Sequence, residues 1–160
     1  YCALSPRADE DLLLEFCEDF EYTPVIFVAN QIVNGERLPI YHTNVLMALG
    51  EKIAVLCLDT IDNKSEKKML LQNLKQDGKE IVKITEAQMQ QFAGNMLQVK
   101  GGNQQNYMVM STAAYNSLLP EQITVIEKHG PILHSDLTTI ETCGGGSARC
   151  MMAEVFLPKK

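Results

Sequence analysis

Apolar positions along this chain change period several times, and each change marks an element. Leu12, Leu13, Phe16, Cys17 and Phe20 recur at helical spacing. They follow Ser5-Pro6, which reads as a helix start: an N-cap residue, then proline at the first helical position. Pro24 to Ala29 is a short apolar run and predicts a buried strand, and Asn34-Gly35 predicts a turn. Residues 38–49 predict a strand and Lys52 to Leu58 its partner, with Gly50-Glu51 as the hairpin link. Asn63 followed by Glu66 predicts a capping box, ahead of a helix with Leu70, Leu71 and Leu74 as its buried stripe and Gly78 as its end. Glu80 to Ile84 predicts the next strand.

The order then recurs. Thr85 to Phe92 predicts a short helix with Gln88 closing a capping box on Thr85. Met96 to Lys100 and Tyr107 to Ser111 predict a hairpin around Gly101-Gly102-Asn103, and helical segments follow from Thr112 to His129, restarted at Pro120. Pro131 to His134 predicts a short strand, and Arg149 to Leu157 a closing one. Strand–strand–helix–strand therefore appears twice, about 50 residues apart, a spacing typical of repeat architectures. Half a unit precedes the first copy and half follows the second. With a chain that opens on Tyr1, this predicts one domain over residues 1–160 that is a piece of a longer array.

Composition narrows the class. At 160 residues, 46% hydrophobic and 21% charged, the chain is long enough for one globular core. A net charge of −6 with acids and bases interspersed offers nothing to recruit nucleic acid or an anionic membrane. No apolar run approaches the roughly 20 residues of a membrane span. The opening residues carry no secretory pattern. Five irregularly spaced cysteines, with Cys17 and Cys57 inside apolar patterns, fit a reducing, cytoplasmic compartment. Without Cys-x-x-Cys or His-x-x-x-His, neither a metal site nor a cofactor is expected.

The candidate chemistry sits at two places. Gly144-Gly145-Gly146 runs toward Cys150. A glycine run before a thiol accepts an entropic cost for close approach or positive φ, and a thiolate is a capable nucleophile toward electrophilic carbon. The alternative is a buried cysteine on a terminal strand, with Cys143 as rival nucleophile. Upstream, Tyr41-His42-Thr43-Asn44-Val45 in an extended reading puts His42 and Asn44 on one face with Ile40, Leu46 and Ala48. Such a histidine is either a base or a hydrogen-bonded core residue. Asn95 stands where a helix hands over to a strand, as a turn residue or a pocket hydrogen-bonder. His129 and His134 read as surface residues, Arg149 and Glu154 as a rim pair, and Lys67, Lys68 and Lys75 as a solvated helix face.

Gly144-Gly145-Gly146-Ser147-Ala148-Arg149-Cys150-Met151 resembles the glycine-rich stretch leading to Cys-Met in the guanidine-group-modifying enzymes, the superfamily of arginine and agmatine deiminases, dimethylarginine hydrolases and amidinotransferases. Tyr41 to Val45, Phe92 to Leu97 and Glu141 to Pro158 extend the resemblance across the chain, most closely to the citrulline-utilisation hydrolases and their amidinotransferase-like relatives. The resemblance implies a pentein-type α/β propeller of ββαβ blades, here about half of one. It implies Cys150 as nucleophile and His42 as general acid/base, with Asn44, Asn95, Gly145 and Gly146 at the substrate. Many members carry His-x-Asp where this chain has His42-Thr43-Asn44. An aspartate grips a cationic guanidinium, whereas an asparagine both donates and accepts, which suits a neutral ureido group.

The expectation is a cysteine-dependent hydrolase of a C–N bond in a small guanidino or ureido compound, citrulline-like in preference to arginine, inactive as an isolated piece. An amidinotransferase and a catalytically silent binder of the same fold stand as alternatives. Unpaired blade edges predict association with a missing N-terminal half or with further copies.

Overall fold

The computed structural model describes residues 1–153. In chain order the elements are β1 (Cys2–Leu4), α1 (Glu10–Asp19), β2 (Ile26–Val28), β3 (Asn30–Val33), β4 (Glu36–Pro39), α2 (Thr43–Leu46), β5 (Met47–Leu49), β6 (Ile53–Leu56), α3 (Lys64–Gln76), β7 (Glu80–Lys83), α4 (Glu86–Gln90), β8 (Leu97–Lys100), β9 (Asn106–Ser111), α5 (Thr112–Ser117), α6 (Pro120–Glu127), β10 (Ile132–Ser135) and α7 (Thr138–Gly144). Two 3₁₀ turns, Leu58–Thr60 and Ala148–Met151, complete the set. No helix among the described residues is long and apolar enough to cross a membrane.

The expected repeat is present. β5–β6–β7 and β8–β9–β10 are two three-stranded sheets of the same design, each an antiparallel pair followed by a parallel strand. Their first strands begin 50 residues apart, at Met47 and Leu97. Parallel pairing requires a crossover, and α3 supplies it in the first unit, α5 and α6 in the second. β6 is the middle strand of its sheet and all four of its side chains are fully buried. A strand covered on both faces reads as an unbroken apolar run, here Ile53-Ala54-Val55-Leu56.

α3 forms where the sequence signals place it. Asn63 Oδ1 accepts from the Ser65 and Glu66 N–H groups, and Gly78 follows the helix at φ 69°. Leu70 and Leu74 are fully buried. Glu66 reaches out of the cap to accept the Val28 N–H at 2.8 Å, tying α3 to β2.

Four expectations are corrected. The first helix begins at Glu10, capped by the Asp9 side chain on the Leu12 N–H, not at Ser5-Pro6, because Ser5 is occupied in a bridge with Ala8. The strand expected over 38–49 is interrupted by α2, and only Met47–Leu49 pairs with β6. Where the closing strand was expected from Arg149, Ala148–Met151 is a 3₁₀ turn and Met152 and Ala153 are in no regular element, while residues 154–157, Glu154 among them, lie outside the described residues. A helix, α7, stands where no element was expected. The Asn34-Gly35 turn joins β3 to β4 in an unanticipated hairpin, with φ of 53° and 83° at the two turn positions, the left-handed pair that a tight hairpin needs. Arg37 pins this hairpin to the body by bonds to Asp62, Glu86 and the Asp59 carbonyl.

Candidate active site

Three joints between elements meet at one sulfur. The first is the segment after α7. Gly145 ends that helix in the left-handed region, φ 68° and ψ 12°, a conformation glycine adopts without a Cβ penalty. The chain then turns through buried Ser147, whose hydroxyl donates to Glu141 Oε1 at 2.6 Å, and buried Ala148. Cys150 follows in the 3₁₀ turn with its side chain exposed. Gly146 lies against it: a Cβ there would stand 3.0 Å from the Cys150 sulfur, closer than packed side chains allow.

The second joint is Phe92 to Asn95, between α4 and β8. Phe92 takes φ 63°, an unusual conformation for a bulky residue. Gly94 approaches the α2 backbone so closely that a Cβ would meet the Val45 carbonyl oxygen at 2.3 Å. This contact carries Asn95 to the sulfur. Asn95 is 3% exposed. Its Nδ2 donates to the Asn44 carbonyl at 2.9 Å and to Cys150 Sγ at 3.2 Å, and its Oδ1 accepts the Arg149 N–H at 3.1 Å.

The third joint is Tyr41 to Leu46. Here the local structure differs from the extended segment expected, since residues 43–46 form one helical turn with His42 as its N-cap residue. His42 and Asn44 therefore do not share a strand face. Asn44 turns toward the cysteine, its Nδ2 3.9 Å from Cys150 Sγ, while its Oδ1 is buried with no hydrogen-bond partner among the described residues. His42 is exposed, and its imidazole packs edge-on against the Tyr41 ring with centroids 4.8 Å apart. Tyr41 in turn donates its hydroxyl to the Gly145 carbonyl at 3.2 Å. The segment carrying His42 is thus fastened to the segment carrying Cys150, although His42 itself does not line the cleft.

That cleft has a volume of about 210 Å³. Cys150, Asn95, Gly145 and Gly146 line it, and so do Tyr41, Gln31, Gln90 and Phe92, which the sequence did not single out. Tyr41 was legible as the neighbour of His42 in its motif. Gln31 arrives on β3 and had no signal, because only the tertiary fold lays that hairpin beside the glycine turn. All of the described lining side chains are uncharged. The other cysteines contrast with Cys150. Cys57 is fully buried, and burial pushes its thiol up to about 11, so it stays protonated and unreactive near neutral pH. Cys143 is exposed on α7 and does not line the cleft. No three His, Cys, Asp or Glu side chains converge as a metal site among the described residues.

The α/β architecture of small mixed sheets is that of a pentein-related protein. The chain belongs to the family described as N,N dimethylarginine dimethylhydrolase, eukaryotic, whose model matches residues 1–157. Among solved structures it is similar to the apo crystal structure of ArgZ, an arginine dihydrolase from the ornithine–ammonia cycle in cyanobacteria, with a TM-score of 0.69 at 13% identity over 98% of this chain. The chain spans 22% of that structure's length, and at this identity the likeness speaks to fold alone. No curated protein matches it.

Proposed function

We propose that the chain is the nucleophile-bearing part of a cysteine hydrolase that cleaves a C–N bond of a small guanidino or ureido compound, within a pentein-type propeller of which this chain forms about half. The observation that carries this reading is Cys150: an exposed thiol on the wall of a cleft, held by amide donors, with the His42 segment fastened alongside. The thiolate attacks the central carbon of the substrate. The C–N bond breaks as the leaving nitrogen takes a proton, which leaves the carbon bonded to sulfur. Water then adds to that carbon and the sulfur departs as thiolate. His42 is the proposed proton carrier for both steps.

The uncharged lining favours a neutral head group. Gln31 and Gln90 present amides and Tyr41 a phenol, with no carboxylate among the described lining residues. A guanidinium buried there would lose water without gaining a counter-charge. A ureido group loses less, so citrulline is the preferred class over arginine. Apolar side chains left open on α1 and at its C-cap, notably Leu12, Phe16 and Phe20 at 65%, 49% and 61% exposure, support docking onto the remaining blades or onto further copies.

The complete protein incubated with citrulline or arginine, without an amine acceptor, tests the proposal. Release of ammonia or ornithine from citrulline in preference to arginine, with Asn44→Asp shifting preference toward arginine, is the expected result. A strong preference of the wild type for arginine overturns the substrate assignment. Turnover that needs an added amine points to a transferase. No turnover, with Cys150 alkylated no faster than Cys143, points to a silent binder.

A further inference from the structure

We propose that Asn95 is a positioning residue for Cys150: its side-chain amide aims and stabilises the sulfur as a thiolate and makes no bond to substrate. The proposal rests on the reading of Cys150 as nucleophile.

An asparagine amide has two N–H donors and one carbonyl oxygen. In buried Asn95 both donors are spent, one on the Asn44 carbonyl at 2.9 Å and one on Cys150 Sγ at 3.2 Å. The oxygen is spent on the Arg149 N–H at 3.1 Å. No N–H is left to offer a ligand, which reassigns Asn95 from the substrate to the nucleophile. The neighbours also fix which end is which. A backbone N–H requires an oxygen and a backbone carbonyl requires a donor, so the amide cannot flip without losing both bonds. The NH₂ group must therefore face the sulfur.

That orientation matters because a thiol is a weak acceptor and a thiolate a strong one. An N–H held against sulfur by a buried donor stabilises the ionised form more than the neutral one. Asn95 itself is held from behind by the Gly94–Val45 backbone approach. Asn44 adds a longer contact at 3.9 Å. The Oδ1–Arg149 bond fixes the residue immediately before the cysteine, so one side chain sets both the place of the sulfur and its charge.

The test is the pH dependence of iodoacetamide alkylation at Cys150, followed by peptide mapping on the full chain. Asn95→Asp keeps the oxygen that Arg149 needs and replaces the donor with a carboxylate facing the sulfur. Alkylation at pH 7 is expected to fall about tenfold or more, from loss of the charge-assisted hydrogen bond and from repulsion between the new carboxylate and the thiolate. The gap should narrow as pH rises, because thiolate supply then limits the rate less. A purely structural role would slow alkylation equally at every pH, and that result overturns the proposal. Equal rates at pH 7 also overturn it while leaving Cys150 as the nucleophile. A wild type whose Cys150 is alkylated no faster than Cys143 at pH 7 overturns both readings. The predicted alkylation pattern without turnover of citrulline or arginine leaves Asn95 in place and removes the hydrolase. If Asn95→Asp does not fold, the wild type supplies the measurement. The Asn95 side-chain amide resonance should move with pH in step with the alkylation rate, and an amide signal indifferent to that titration overturns the proposal.

Discussion

In the unit β5–β6–β7, side chains do the packing. Ile53, Ala54, Val55 and Leu56 are fully buried, and Leu70 and Leu74 of α3 join the same core. In the joints at 41–46, 92–95 and 144–151, the backbone does it. Gly94 lies against the Val45 carbonyl, Gly146 against Cys150, and single amides and hydroxyls close the gaps. The first region tolerates changes that keep apolar volume, because burial is non-directional. The second depends on missing Cβ atoms and on particular donors. The proposed nucleophile sits in the second, where directional contacts of a kind that an apolar core does not supply can aim a thiol.

The largest expected effect lies in the core. Leu56→Ala should destabilise the fold by about 2–5 kcal/mol in urea unfolding, while Cys150 in the folded fraction alkylates at the wild-type rate. A slowed thiol in that variant would mean that the two regions are not separable. Gly94→Ala should cost less stability, about 1–3 kcal/mol as an overpacking change, yet slow Cys150 alkylation markedly by pushing Asn95 away from α2. Unchanged alkylation in the Gly94→Ala variant would show that the close approach does not position the sulfur.

The smallest effect concerns the β3–β4 hairpin that brings Gln31 to the cleft. The Arg37 guanidinium, with help from the Asn30 amide, holds the Asp62 carboxyl down to about 2. A carboxyl lowered in the folded state stabilises it above the ordinary carboxylate range, and that stability is lost as pH falls through about 2. Both partners are substantially exposed, 34% and 51%, so solvent screens the pair. Thermal unfolding should therefore show the wild type slightly above Asp62→Asn at pH 5, with the gap closing toward pH 2. A gap that widens on acidification would break the assignment.

Much of the regular fold was legible. Asn63, Gly78, the Thr85–Gln88 box and Pro120 mark element ends through contacts within a few residues, and each end falls where its signal stands. Ser5-Pro6 misled because the Asp9 side chain caps α1 four residues later. Residues 41–46 misled because apolar alternation reads as strand, whereas the backbone coils there to meet Gly94. Asn95, Gly145 and Gly146 line one cleft with exposed Cys150, and Asn44 reaches the sulfur at 3.9 Å without lining that cleft. His42 stands on the rim beside Tyr41 and not in the cleft.

By itself the sequence determined the twin strand–strand–helix–strand units, the capped ends of their helices and the residue types available for chemistry, because periodicity and capping act over a few neighbouring positions. Only the tertiary structure decided that Asn95 spends its amide on a sulfur 55 residues away, that Gly94 must lack a side chain, and that a hairpin brings Gln31 to the cleft. Those outcomes depend on where separate elements come to rest against one another, and no local pattern encodes a distance between them.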